Sequence, residues 1–317
     1  MDLSIIIVSY NVKDYLLACL RSIYSWPAAD KSHSSITVRG NETRPAASFE
    51  VILVDNASTD GTVEAVRSSF PQVRVLANQE NVGFARGNNQ GLRASGGKYV
   101  LFLNPDTEVG QGTLTGLLRL AQTHPEASAF TCRVLNPDGS LQHSCFHFPS
   151  LKMAFYGFFP LMPMDSVANG RYPVEQFSQV FQPEHVLGAC LMFRREALVE
   201  LGGWDERFFM YFEETDLCYR LKRAGHITLY TPEVSIIHYG GRSTAAVPEK
   251  MSVAFYRSQS YFYRKHYSPF AFLALKAIVF FGLLFWKART CKGFIRRRII
   301  WAQFRARLES YVRILLA

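Results

Sequence analysis

An α/β fold, with a parallel sheet flanked by helices, is predicted by three features of this 317-residue chain. The apolar runs Leu3–Ser9, Val51–Val54 and Tyr99–Leu103 are continuous rather than alternating, the pattern of strands buried on both faces. Stretches of helical periodicity separate them, as in parallel sheets. Polar cassettes follow the runs, and in open parallel sheets such loops gather at the edge where ligands bind.

The elements follow in order. After the strand at Leu3–Ser9, the spacing of Leu16, Leu17, Leu20 and Ile23 predicts a helix over 12–25. Residues 27–48 place Pro, Ser, Asn and Arg where a short connection is expected and read as a mobile insertion. A helix through Val66 to Phe70, a strand over 73–77 and a helix over 87–94 lead to the Tyr99 strand. A helix over 114–123 opens the second half, followed by a hairpin-like segment from Val134 to Leu141 centred on Asn136-Pro137-Asp138-Gly139. Residues 145–180 are aromatic, Pro-rich and irregular, packed on the sheet, lining an acceptor groove or contacting lipid.

At 48% hydrophobic residues the chain can bury one substantial core plus an appendage, and it has no repeat or low-complexity signal. Its six cysteines form no CxxC pair, and Met1-Asp2 leads straight into a strand, so a reduced, cytoplasmic setting without a signal peptide is expected. The formal charge of +9 is unevenly placed. Nine Lys or Arg between Lys287 and Arg313 face only Glu309, and directly before them Phe270–Trp286 is apolar except for Lys276. That adjacency favours an anionic membrane surface over nucleic acid as the partner. The apolar run is shorter than the roughly 20 residues that cross a bilayer, so monotopic or peripheral attachment is expected, with a chain ended at His266 remaining folded and soluble.

Three cassettes carry chemistry. In Val54-Asp55-Asn56-Ala57-Ser58-Thr59-Asp60-Gly61, Asp55 can accept the N3 proton of uracil or thymine, while Ser58 and Asp60 can cap the next helix. In the segment Asn81 to Asn89, the amides of Asn81, Asn88 and Asn89 stand beside glycines that permit close approach to ribose and phosphate. In Asn104-Pro105-Asp106 the two polar side chains can face one hard cation bridging a diphosphate. Together they read as a site for a sugar nucleoside diphosphate. Farther on, Glu213 and Glu214 stand beside aromatic residues just before a helix, where restricted water would raise a carboxylate toward the range of a general base. Asp216 reads as an acid favouring the helix dipole, and Arg242 can match phosphate oxygens.

The order of Ile5-Ile6-Ile7-Val8-Ser9-Tyr10-Asn11, these cassettes, Gly188–Ala197, Gly202–Gly225 and His238-Tyr239-Gly240-Gly241-Arg242-Ser243 resembles the inverting family 2 glycosyltransferases of the GT-A fold, most of all the rhamnosyltransferase branch, over about residues 3–245. The resemblance implies an α/β GT-A domain over 1–250, a Rossmann-like, mostly parallel mixed sheet flanked by helices, and a helical, membrane-associating region over 251–317. It implies that Ser9, Tyr10, Asn11, Asp55, Ser58, Asn81, Gly83, Phe84, Asn88, Asn104 and Arg242 hold the donor. Trp204 and Asp205 would meet the acceptor, and Asp106 and His238 would hold Mg2+ or Mn2+. The family usually has Glu-Asp where this chain has Glu213-Glu214, so position assigns Glu214 as base with Glu213 as runner-up. The implied reaction moves rhamnose from dTDP-rhamnose to a polyprenyl-diphosphate-linked glycan at the cytoplasmic membrane face, for cell-surface polysaccharide synthesis. Another sugar or acceptor, or a silent nucleotide-sugar or membrane-binding module, are the alternatives.

Overall fold

The computed structural model describes residues 1–25, 35–36, 47–159, 169–240 and 248–316. Strand β1 (Leu3–Ser9) is buried throughout. Helix α1 (Lys13–Tyr24) lays Leu16, Cys19, Leu20 and Ile23 on the sheet, and β2 (Ser35–Ile36) pairs with the start of β3 (Ala47–Asp55). Apart from those few strand residues, the expected insertion at 27–48 lies outside the described residues. Then come α2 (Thr62–Ser69), β4 (Arg74–Ala77), α3 (Phe84–Ala94), β5 (Tyr99–Leu103), β6 (Thr107–Val109), α4 (Thr113–Thr123) and β7 (Ala127–Leu135). The turn at Asn136–Ser140 is closed by backbone bonds and brings Leu141 back beside Leu135, as the hairpin-like pattern predicts.

The aromatic segment is more regular than expected: it holds β8 (Cys145–Phe146), α5 (Leu151–Phe158), which Ser150 caps through its side chain, and a 3-10 turn at Val174–Ser178. Next are β9 (His185–Val186), β10 (Cys190–Arg194), α6 (Arg195–Glu200), α7 (Glu213–Arg223) and β11 (Ile227–His238). Three helices close the chain: α8 (Pro248–His266), α9 (Pro269–Ile295) and α10 (Trp301–Leu315).

The main sheet runs β2-β3-β1-β5-β10-β7-β11-β6, with β4 also paired to β3. Neighbours β3, β1 and β5 are parallel, β10 is antiparallel to both β5 and β7, and β6 is antiparallel to β11. The sheet is thus mixed. Period-two alternation sends Ile5 and Ile7 to the α1 and α4 side and Ile6 to the side of Phe102, Phe193, Trp204 and Leu217. Each such isoleucine contributes about 1.5–3 kcal/mol through burial.

A third core cluster joins the appendage to the rest. Ala154 and Phe158 of α5 and Phe208 and Phe212 before α7 pack with Tyr256, Phe262 and Tyr263 of α8, Leu275, Val279 and Leu283 of α9, and Ile314 of α10. A Cβ at Gly282 would collide with the Phe158 ring, so that glycine sets how closely α9 approaches α5. Two sequence readings change in consequence. The apolar helix has 27 residues, about 40 Å at 1.5 Å each, and is long and apolar enough to cross a membrane. A chain ended at His266 would uncover Phe158 and Tyr256, because Trp286 of α9 packs on both rings.

Candidate functional site

Ser9 and Asp55 end two parallel strands in direct register, β1 against β3. Both are buried, at 1% exposure each, and Ser9 Oγ and Asp55 Oδ1 have no hydrogen-bond partner among the described residues. The other carboxylate oxygen, Asp55 Oδ2, accepts the Ser58 N–H at 2.8 Å. A desolvated hydroxyl beside a desolvated carboxylate oxygen costs free energy unless a ligand completes it, and a pyrimidine imide edge supplies the matching donor and acceptor.

The loops that follow are tied together. Asn11, at φ +53°, accepts the Thr59 N–H through Oδ1, and its own N–H donates to Ser58 Oγ at 2.9 Å. Ser58 therefore does not cap α2. That task falls to Asp60, which accepts from Thr62 N and, through its other oxygen, from Lys13 N. Tyr10 is 39% exposed at this rim, open to a ring above the strand ends.

The α3 cassette makes mostly internal contacts. Asn81 Oδ1 accepts the Gly83 N–H, Asn88 Nδ2 donates to the Phe84 carbonyl, and Asn89 bonds both ways with the Trp204 backbone. A Cβ at Gly87 would sit 3.0 Å from Val8 Cγ1, one at Gly91 would collide with Ile6, and one at Gly83 would lie 2.8 Å from the Phe209 carbonyl oxygen. These glycines bring the helix against β1 and the loop before α7, which accounts for them without a ligand. Phe84 meets the Trp204 ring edge-on at 5.7 Å.

At the other end of the sheet edge, β6 pairs with β11 and opposes Thr107 to His238. His238 Nε2 then stands 3.4 Å from Asp106 Oδ1 and 3.4 Å from Asn104 Nδ2, and both Asp106 and His238 are 6% exposed. Gln142 fixes the imidazole. Its Nε2 donates to Asn136 Oδ1 and to the His238 carbonyl, so its Oε1 must face His238 Nδ1, at 2.7 Å. Nδ1 therefore carries a proton, and Nε2 is the ring atom that faces Asp106. One carboxylate and one oriented imidazole, with an amide alongside, fit a divalent cation that takes its remaining ligands from a diphosphate and water. Among the described residues no three His, Cys, Asp or Glu side chains converge on such a point. Gln142 was not singled out by sequence reasoning, since no motif marks a glutamine 96 residues from its partner.

Glu213 and Glu214 do not precede the helix; they are its first two residues. Tyr211 and Phe212 before them both lie at φ +67°, a region that strains non-glycine residues by about 1–3 kcal/mol each. Glu213 Oε2 and Glu214 Oε2 are buried without partners among the described residues. Burial pushes Glu214 up to about 7; burial together with the Glu214 charge pushes Glu213 well above the usual carboxylate range. The two carboxyls share one desolvated setting, which disfavours two negative charges on the pair near neutrality. Gly188 backs directly on Glu214, since a Cβ there would be 3.6 Å from the Glu214 Cβ, and the next carbonyl, Ala189, accepts the Asn104 N–H at 3.0 Å. The Gly188-Ala189 pair thus separates the carboxylate from the cation cassette by two residues.

Two expected site residues have surroundings that the sequence did not indicate, and a third lies outside the described residues. Trp204 is 2% exposed, its ring set edge-on against Phe84 and Phe102 in the core, and offers no surface to an acceptor. Asp205 is bonded to Arg207, Tyr261 and Lys265. Arg242 lies outside the described residues.

The family model for glycosyl transferase family 2 matches residues 4–202. A relative from Mycobacterium tuberculosis, N-acetylglucosaminyl-diphospho-decaprenol L-rhamnosyltransferase, is 33% identical over 235 residues, covering 69% of this chain and 75% of its own. Rhamnosyltransferase WbbL of Escherichia coli K12 is 27% identical over 243 residues, covering 74% and 82%. Among solved structures, the mannosyltransferase PcManGT of Pyrobaculum calidifontis in complex with GDP-Man and Mn2+ has a TM-score of 0.56 at 17% identity, covering 99% of this chain and 86% of its own. GalNAc-T7 with UDP, GalNAc and Mn2+ has a TM-score of 0.55 at 15% identity, covering 83% and 50%. These likenesses agree with the GT-A architecture of the sheet. With its sheet-edge carboxylates and its family match, this chain belongs to glycosyl transferase family 2 and is a glycosyltransferase.

Proposed function

We propose that the protein is an inverting rhamnosyltransferase that takes the sugar from dTDP-rhamnose and places it on a hydroxyl of a polyprenyl-diphosphate-linked glycan in cell-surface polysaccharide synthesis. The observation that carries this reading is the line of groups along one sheet edge: unpartnered Ser9 and Asp55, the Asn104–Asp106–His238 cluster, and unpartnered Glu214 behind Gly188. The names of the relatives support the sugar and the lipid carrier.

Asp55 and Ser9 take the imide edge of the pyrimidine, with Tyr10 at the rim. Asp106 and His238, with Asn104 beside them, would hold Mg2+ or Mn2+, which when bound neutralises the charge of the leaving diphosphate. Glu214 accepts the proton of the acceptor hydroxyl as its oxygen bonds to the anomeric carbon and the bond from that carbon to the diphosphate oxygen breaks. The proton ends on Glu214, the electron pair on the nucleoside diphosphate, and one displacement inverts the anomeric centre. Burial beside Glu214 favours the neutral form of Glu213, which keeps that pair from carrying two charges.

Membrane attachment is part of the same reading. One face of α9 packs on the protein through Leu275, Val279 and Leu283, while Phe270 at 84% and Phe281 at 61% exposure lie outward. A helix held along one side by its own domain is better placed to lie in the interface than to cross it, and the basic residues from Lys287 onward suit anionic headgroups at the cytoplasmic face.

The test is incubation of the full chain with a panel of nucleotide sugars and polyprenyl-diphosphate acceptors, with Mg2+, Mn2+ or chelator, read by product mass. A deoxyhexose added from dTDP-rhamnose, lost on chelation, is expected; transfer only from another donor would replace the sugar assignment, and metal-independent transfer would remove the cation.

A further inference from the structure

Helix α8 touches the loop before α7 and the first turn of α7 at three separate points. Ser258 Oγ donates to the Met210 carbonyl at 2.8 Å, one residue before the two left-handed positions Tyr211 and Phe212. Lys265 Nζ bridges Asp205 at 2.7 Å and Asp216 at 2.5 Å, and Tyr261 also donates to Asp205. His266 Nε2 lies 2.6 Å from Asp216 Oδ1. Asp216 is fully buried one helical turn after Glu213; burial opposes its charge, but hydrogen bonds from His266, Lys265 and Arg220 outweigh that and hold it below the usual carboxylate range. Arg220 in turn donates to the Leu201 and Gly203 carbonyls. Between the pegs the aromatic rings mesh: Phe208 on Tyr261, and Phe212 on Phe255 and Phe262. From the other side the loop presses on the donor cassette, where Phe84 N–H donates to the Phe209 carbonyl at 3.0 Å.

A loop bearing two strained residues does not keep that shape by itself. What over-determines it is α8, a helix C-terminal to the family match, which ends at residue 202. We propose that α8 is part of the catalytic apparatus: Ser258, Lys265 and His266 are positioning residues that hold the Phe209–Phe212 loop and the first turn of α7, and thereby set where the Glu214 carboxylate stands. The inference rests on Glu214 as the base. The appendage then serves two ends, a surface on one side and a brace for the site on the other.

The experiment compares full-length Ser258→Ala, Lys265→Met, Lys265→Arg and Glu214→Gln, each measured for kcat, for KM of donor and acceptor, and for binding of dTDP alone. Misplacement of a reacting group by about 1 Å lowers rate by up to about 100-fold. Lys265→Met is expected to lose about 10- to 100-fold in kcat and Ser258→Ala several-fold, with dTDP affinity within about twofold of the parent and most activity restored in Lys265→Arg. Wild-type kcat in folded Ser258→Ala and Lys265→Met overturns the proposal, as does a loss of dTDP binding matching the loss of kcat. If Lys265→Met does not fold, Ser258→Ala decides alone by the same criteria. An inactive Glu214→Gln beside fully active brace variants sinks only this inference, whereas full turnover in Glu214→Gln sinks the base assignment beneath it.

Discussion

Replacing Glu214 by Gln keeps the shape of the side chain and removes its ability to take a proton. Turnover should fall by about 10²- to 10⁴-fold with donor binding retained. The same change should alter stability in a direction that depends on pH. Burial raises Glu214 from its ordinary 4.5 to about 7. The protonated form is therefore favoured by folding, and the stability attached to it is fully present below about 4.5 and lost as pH rises through about 7. At 1.36 kcal/mol per unit this amounts to about 3 kcal/mol, an upper figure because Glu213 titrates with it. Glutamine carries no such loss. In thermal melts the parent should weaken relative to Glu214→Gln between pH 5 and pH 8.5, and at about 2–4 °C per kcal/mol the gap should open by several degrees. The parent's turnover should rise over the same interval, as the base ionises. A variant that turns over normally, or whose stability relative to the parent is the same at both pH values, would refute the picture of a desolvated base.

Asp106→Ala should lose most activity, and a near wild-type rate with metal dependence intact would place the cation elsewhere. Gln142→Leu should weaken Mn2+ binding about 10- to 100-fold, measured by titration with dTDP present, because the Nδ1 partner that orients His238 is gone; unchanged affinity would refute that role. Gly91→Ala should lower the melting temperature by a few degrees, since overpacking against fully buried Ile6 at about 1–3 kcal/mol outweighs the helix-propensity gain of about 1 kcal/mol. The full chain should pellet with anionic vesicles and be released by salt, while a chain ended at His266 should aggregate rather than remain soluble, and a monodisperse fragment would show that α9 and α10 are dispensable to the core.

Strands were legible where burial on both faces left an unmistakable run: Leu3–Ser9 and Tyr99–Leu103 begin and end where the sequence places them. The mixed character of the sheet came only with the family resemblance, and β7 and β10 did not announce themselves, because strands of mixed Ala, Thr, Cys and Phe look like core helix or loop until their partners are known. Asp106 and His238 could be named, whereas Gln142 could not, since a tautomer is set by a neighbour far away in sequence. The α3 glycines look like ligand-binding glycines in sequence, and only the positions of Val8, Ile6 and Phe209 show that packing accounts for them. Trp204, which the family resemblance assigned to the acceptor, is buried against Phe84 and Phe102, a setting that nothing in its local sequence marks.

Lys265 comes 49 residues after Asp216 in the chain. A protein emerging from the ribosome folds from its N-terminal end, so β1, β3 and β5, with the paired Ser9 and Asp55, can assemble while α8 is still inside the exit tunnel. Nascent enzyme would then acquire nucleotide recognition before it acquires a competent base. Ribosome-stalled chains halted soon after residue 240 should retain dTDP yet transfer nothing, and transfer should begin only when the stall is moved far enough downstream for residue 266 and the helices after it to clear the tunnel. Timing of this kind would keep an immature protein from turning over its donor before the helix that braces the base is in place.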